Sequence, residues 1–292
     1  MRFGVALPHT NAFTDPDVLT GLARRLEGAG YDSLWVSDHV IVPEGHGYIP
    51  EMMTEPLAVL AHLGAVTERA TIGTSVLIAP YRNPVFTAAF LSSVDVLSKG
   101  RLVVGVGVGW LPEEFEALGV PFAERGPRTD ECIRVWHELW TTETSSFDGH
   151  WTHFDRMRLF PKASPQREGR IPVWVGGNTP SAIRRAALLG DGWHPINLAP
   201  ADLAAGVAAY RAACDEAGRP AGPVCMRHMP GGRTAPEGGW RLQGSPEEQA
   251  NDLQAYAAAG CDELMLSWFA RTPNELGDTL EGFLANVVPL TR

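Results

Sequence analysis

Leu102-Val103-Val104-Gly105-Val106-Gly107-Val108-Gly109 is the stretch that decides the fold. It reads as an apolar strand running into alternating glycines. That is close to the GxGxxG turn of an open, doubly wound nucleotide-binding sheet, but the third glycine falls one position early. The stretch also follows the fourth strand signal in the chain, and no acidic residue stands at the distance such a turn requires. A parallel array of strands and helices either stays open or closes on itself, and this mismatch favours closure. The expected fold is α/β, a single (β/α)₈ TIM barrel.

Outward from that stretch the chain alternates strand and helix signals. Before it come short apolar runs at Phe3–Leu7 and Ser33–Ser37 and a β-branched run at Thr71–Ile78. After it come Pro172–Gly176, Gly192–Ile196, Val224–Met229 and Glu263–Trp268. Near-continuous apolar strands suit a parallel sheet buried on both faces. Between them lie helix signatures: Asp15 to Gly30, Glu55-Pro56 onward, Asn83-Pro84 to near Gly100, Arg128–Trp140, Thr179-Pro180 to Gly190, Ala201 to Gly218, a capping box at Ser245-Pro246-Glu247-Glu248, and an apolar stripe of Leu276, Leu280, Phe283 and Val287. Residues 141–170 break the rhythm. Phe147-Asp148-Gly149-His150-Trp151 reads as a hairpin tip, so this segment is expected to be an insertion between strands four and five. Pro230–Gly244 reads as a loop rich in glycine and proline. The expectation is one domain over residues 1–292, since α/β barrels use about 250 residues as a unit.

The net charge of −10, without a basic run, argues against nucleic-acid binding. No apolar run is long enough for a bilayer. Met1-Arg2-Phe3 leads straight into a strand pattern, so no signal peptide is expected. Cys132, Cys214, Cys225 and Cys261 are scattered without metal-ligand spacing. They read as buried thiols of a reducing compartment, so a cytoplasmic protein without a metal is expected.

In such a barrel the chemistry sits on the loops that follow the strand C-termini. The strands would deliver His9, Thr10 and Asn11; Ser37, Asp38 and His39; Pro80, Tyr81 and Arg82; Gly105 to Trp110; Gly176, Gly177 and Asn178; His194 and Asn197; and Trp268 and Arg271. His39 and His9 are the candidate proton carriers, because imidazole titrates near neutral pH. The alternative reading of each is a histidine bonded to a loop backbone. Asp38 either serves the site or caps a turn. Gly105, Gly107 and Gly109 either let a ring or phosphate approach the backbone or fill tight space in the barrel. Gly176-Gly177-Asn178-Thr179 before Pro180 offers backbone N–H groups to an anion, or is a turn with Thr179 as N-cap. Met52, Met53 and Trp110 are candidate substrate contacts, or ordinary packing.

The ordered set of these pieces resembles the luciferase-like monooxygenase superfamily, above all its F420-dependent oxidoreductase branch. The pieces are Phe3–Pro8, Gly30–His39, Ile72–Leu77 with Arg82-Asn83-Pro84, Gly100–Gly109, Pro172–Gly177 and Asp191-Gly192-Trp193. The resemblance implies a deazaflavin ring in the barrel mouth against a bulge in strand three, with a non-proline cis peptide at Ser75-Val76. It implies Asp38 and His39 facing the ring, Gly107, Val108 and Gly109 lining it, and Gly176, Gly177, Asn178 and Thr179 at the tail phosphate. It implies hydride transfer between coenzyme F420 and a small organic substrate, with His39 or His9 carrying the proton and Asp38 fixing the ring or orienting His39. FMN-dependent monooxygenation on the same barrel is the alternative; a non-catalytic flavin-binding protein is a third. A homodimer is expected, with the insertion covering the tail or joining the dimer. The branch's sugar-phosphate dehydrogenases carry a Glu where this chain has Trp110 and a Trp where it has Pro43. Their strand-one loop supplies a Glu, for which His9 is the nearest polar candidate. Glucose-6-phosphate oxidation is therefore not expected.

Overall fold

Short, mostly apolar runs of two to six residues form the barrel strands, and proline sets where most of the helices begin. In the computed structural model, which describes residues 1–47, 49, 52–164, 169–230 and 242–291, the order opens with β1 (Arg2–Ala6), α1 (Pro16–Ala29), β2 (Ser33–Val36) and α2 (Pro56–Val66). It continues through β3 (Thr71–Thr74), β4 (Leu77–Ile78), α3 (Pro84–Leu97) and β5 (Leu102–Gly107). Then come α4 (Pro112–Ala117), α5 (Arg125–Thr141) and a hairpin of β6 (Ser145–Asp148) and β7 (His153–Met157). The chain proceeds through β8 (Val173–Gly176), α6 (Pro180–Leu189), β9 (Gly192–His194), α7 (Pro200–Glu216), β10 (Cys225–His228), α8 (Pro246–Ala258), β11 (Glu263–Leu266) and α9 (Pro273–Asn286).

The strands lie parallel in the order β10-β11-β1-β2-β3-β5-β8-β9, with β4 also paired to β5. Val5 of β1 sits between Leu34 of β2 and Leu266 of β11. Parallel bridges Trp193–Val224 and Ile196–Arg227 bring the two ends of the sheet together. The result is a nearly closed (β/α)₈ barrel, as the glycine spacing in strand four indicated.

Caps fix the helices in register. Asp15 accepts from the N–H groups of Asp17 and Val18, and Asn83 accepts from those of Val85 and Phe86. Gly30 closes α1 in the left-handed conformation (φ 110°) that glycine adopts without steric cost. Inside the barrel, Trp35 and Trp174 pack at 5.3 Å with Ala6, Val103, Cys225 and Met265. A side chain on Gly73 would lie 2.4 Å from the Trp35 ring, so glycine there makes room for the tryptophan. At the opposite end from the mouth, Arg101 donates to the carbonyls of Gly64, Thr67, Ala70 and Ser98. That ties the ends of α2 and α3 to the start of β3 and explains the Gly100-Arg101 pair as a stability feature.

Two elements differ from the sequence reading. The run Thr71–Ile78 is not one strand. It breaks at Ser75-Val76, whose peptide is cis, as the resemblance implied. A short helix, α4, fills what read as loop after strand four. The hairpin tip forms as read but is fastened along α5: Glu131 accepts from the N–H groups of His150 and Trp151, and Arg128 stacks over Trp151. Most of the loop Pro230–Gly244 and residues 165–168 of the insertion lie outside the described residues, as do residues 48, 50 and 51 of the segment between β2 and α2.

Candidate active site

Asp38 and His39 are adjacent in sequence but part company in space. Asp38 turns inward and is buried. Its carboxylate takes two hydrogen bonds from Arg82, at 2.6 and 2.9 Å, and one from the Ile78 N–H at 2.8 Å. Burial pushes its pKa up against the opposing pull of Arg82. Arg82 also reaches Glu55 at 2.6 Å, so this guanidinium ties three loops together.

His39 turns the other way, and Nδ1 meets Glu114 at 2.7 Å. Glu114 is fully buried at the start of α4, where it also accepts from the N–H groups of Val40 and Ile41 and from the Tyr81 hydroxyl. Burial alone would raise its pKa; the bonds from His39, Val40 and Tyr81 outweigh burial and hold it below the ordinary value. An ionised carboxylate only accepts, so the proton of this contact sits on His39 Nδ1. That leaves Nε2, on a side chain 16% exposed, as the nitrogen available for proton exchange. The orienting role expected of Asp38 thus falls to Glu114, because both Asp38 oxygens are already committed to Arg82 and Ile78.

His9 is buried, and Nδ1 donates to the Thr54 carbonyl at 2.8 Å. Burial lowers its pKa despite bonds that favour the charged form, so the ring is neutral at neutral pH. The Thr54 bond orients the ring under either reading of His9, loop histidine or proton carrier. Met53 pairs with Thr10 beside it, while Met52 is exposed and Trp110 stands half-exposed, edge-on to His39 at 5.8 Å.

The bulge is built on glycine. A side chain at Gly107 would fall 2.4 Å from one γ-methyl of Val76, and one at Gly176 2.7 Å from the other. These glycines therefore make room for Val76, which forms an apolar ledge at the mouth. Gly109 turns with φ 81° and packs on Phe115 and Ile78, carrying the chain past Val108 into α4. Beneath the ledge, Ser75 Oγ donates to His194 Nε2 at 2.9 Å, and His194 Nδ1 donates to the Cys225 carbonyl at 2.5 Å. Burial, aided by the Arg227 charge, lowers the His194 pKa to about 4 and keeps it neutral. Arg227 donates to the Ser75 carbonyl at 2.6 Å and to Ser37 and Ser267.

At the other side of the mouth, Asn178 uses both ends of its amide on the backbone of Ile196, at 2.7 and 2.9 Å. Thr179 caps α6 through the Ala182 N–H, and the Gly177 N–H is taken by the His194 carbonyl. Pro180 has no N–H to offer. The side chains of this turn are committed internally, so an anion here would rest on backbone alone.

Glu114 and Arg227 were not singled out from sequence. The signal for Glu114 was present: Pro112 with Glu113 and Glu114 after it is a helix start with acidic residues in its first turn. Arg227 was a lone charge in a strand read as apolar. Among the described residues no group of three or more His, Cys, Asp or Glu is arranged to hold a metal, and no helix is long and apolar enough to cross a membrane.

The site thus consists of a carboxylate-anchored histidine at the C-terminal rim of a (β/α)₈ barrel, with the Val76 ledge at the same mouth. The chain belongs to the luciferase-like monooxygenase family, whose model matches residues 1–236. An uncharacterized protein of Mycobacterium tuberculosis is 33% identical over 232 residues, covering 75% of this chain and 77% of that one. The F420-dependent glucose-6-phosphate dehydrogenase of Gordonia bronchialis is 35% identical over 196 residues, covering 65% of this chain but 55% of that relative. The crystal structure of monooxygenase RslO1 from Streptomyces bottropensis superposes with a TM-score of 0.83 at 21% identity, covering 99% of both chains, which shows the shared fold. Members of this family are oxidoreductases or monooxygenases, with which an enzymatic role for the chain is consistent.

Proposed function

We propose that this protein is a single-domain, cytoplasmic F420-dependent oxidoreductase acting on a small organic molecule. The observation that carries it is the His39–Glu114 pair beside the Val76 ledge, together with relatives above 30% identity whose names specify F420. The residues present fit a planar ring: the Val76 methyls offer an apolar seat backed by Gly107 and Gly176. When bound, the deazaflavin supplies two-electron hydride chemistry, which the protein orients rather than performs. His39 Nε2 takes or gives the coupled proton. Glu114 fixes its tautomer and steadies the charged ring. Asp38 and Arg82 hold the loop that carries His39, and Arg227 and His194 hold the ledge from below. Backbone N–H groups of Asn178 and Thr179, in the turn that Gly176 and Gly177 open, would meet a tail phosphate.

Side-by-side fluorescence titration of F420 and FMN tests this reading. Tight F420 binding with weak FMN binding is expected. Preference for FMN would overturn it and make oxygen consumption with reduced FMN the next measurement, since the family also contains monooxygenases.

The protein is proposed to act as a homodimer. Helices α2 and α3 carry one charged residue, Asp95, and it is buried against the Ser164 N–H. Their outward positions include Ala58, Ala65, Val85, Phe86 (65% exposed) and Leu97 (70% exposed). Helices apolar all round are normally covered. Sedimentation analysis is expected to give a dimer, and Phe86→Asp with Leu97→Asp a monomer; a wild-type monomer at micromolar concentration removes the assignment.

A further inference from the structure

The mouth carries six half-exposed or exposed large apolar side chains from four separate strand ends. They are Val40, Ile41 and Met52 after β2, Trp110 after β5, Ile196 after β9 and Phe269, 71% exposed, after β11. Val40, Ile41 and Trp110 form one lip, because Glu114 holds the N–H groups of Val40 and Ile41 while Trp110 packs on both His39 and His46. Met52 borders the β1 loop, where its sulfur meets the Thr14 hydroxyl and its carbonyl the Asn11 N–H.

The charges around that lip have the wrong sign for an anion. The described residues of 37–55, 75–83 and 108–114 include five acidic residues (Asp38, Glu44, Glu55, Glu113 and Glu114) against one basic residue, Arg82. Arg82 is already paired with Asp38 and Glu55. A phosphorylated or carboxylated substrate beside His39 would lose hydration and meet carboxylates instead of a guanidinium fork. A neutral apolar molecule would instead bury the lip, where contiguous exposed apolar area is costly to leave in water.

We propose that the substrate is an uncharged, predominantly apolar molecule, and that Trp110 is a determinant of that choice. The inference deepens the oxidoreductase reading and rests on it for the location of the reacting centre. It differs from the activity in the name of the Gordonia bronchialis relative, whose substrate carries a phosphate.

Three probes of equal shape test it: cyclohexanol, cyclohexanecarboxylate and cyclohexylammonium. Their dissociation constants are measured by ligand-observed NMR on the protein alone, with F420 and with FMN, so that cofactor choice and substrate class are read separately. Cyclohexanol is expected to bind at least tenfold more tightly than either charged probe, and Trp110→Ala to weaken it about tenfold, with Trp110→Phe restoring most of the loss. Ile41→Asp, on an exposed side chain, is the second variant and is expected to weaken cyclohexanol while improving cyclohexylammonium. Equal or tighter binding of a charged probe to the wild type overturns the proposal whichever cofactor is present. So does cyclohexanol binding that neither Trp110→Ala nor Ile41→Asp changes.

Discussion

Asp38 and His39 show how one peptide unit divides two tasks. Successive side chains of an extended chain point to opposite sides. Asp38 therefore enters the barrel wall to meet Arg82 while His39 faces Glu114 across the mouth. Adjacency in sequence suggested that the two act on each other; geometry gives each a partner more than 40 residues away in Arg82 or 70 away in Glu114. Such pairings cannot be read from a single chain, although the acidic helix start that delivers Glu114 can. His39→Ala is expected to lower turnover by about 10²–10⁴ with little change in F420 affinity. Glu114→Gln keeps the shape and a hydrogen-bond acceptor but removes the charge that steadies imidazolium. It is expected to lower turnover by roughly tenfold or more and to shift the pH profile of kcat/KM. Equal losses in turnover and cofactor affinity for His39→Ala would remove the proton-carrier role.

At the scale of the element, helices were more legible than the irregularities between them. Eight of the nine described α-helices begin on proline, which suits the first helical position because its missing N–H would be unpaired there. Those prolines and the Asp, Asn, Ser and Thr caps before them mark helix starts to within a few residues. The break in Thr71–Ile78 had no such punctuation, because a β-branched run looks the same whether or not its backbone bulges. Only the resemblance to a family placed an irregularity there. The glycines of β5 and β8 were legible as a place of close approach but not as to what approaches. The structure puts the Val76 methyls in those spaces. Gly107→Ala is accordingly expected to displace Val76 and weaken F420 binding by tenfold or more. Far-ultraviolet circular dichroism should remain that of the wild type. Unchanged affinity would mean that Val76 is not the seat.

Across the whole molecule, the barrel buries histidines that the unfolded chain would leave free to charge. His194 and His137 are both lowered to about 4 from an ordinary 6.5, chiefly by burial. Between those values the unfolded chain binds more protons than the folded one. The stability contributed by keeping these rings neutral is therefore full above about 6.5 and is lost as pH falls toward about 4, at about 1.4 kcal/mol per proton per pH unit. Urea midpoints measured from pH 7 to pH 4.5 are expected to fall, and His194→Gln to fall less steeply over the same range. A parallel slope in the variant would show that His194 does not carry the effect.

The sheet closes unevenly. Between β1 and β11 four successive residue pairs are in register, whereas β9 and β10 are joined by bridges at Trp193–Val224 and Ile196–Arg227. A wall stitched this way has a preferred sector for thermal fluctuation, since opening follows the places with the fewest shared bonds. That sector carries Ile196 on one margin and Arg227 on the other. His39 and Glu114 stand on the β2 and β5 loops, where β2 is laddered to both its neighbours, β3 and β4 pair with β5 on either side of the Ser75-Val76 break, and the His39–Glu114 contact itself spans the loops. Breathing at the seam can thus widen one side of the mouth while the proton-carrying side keeps its spacing.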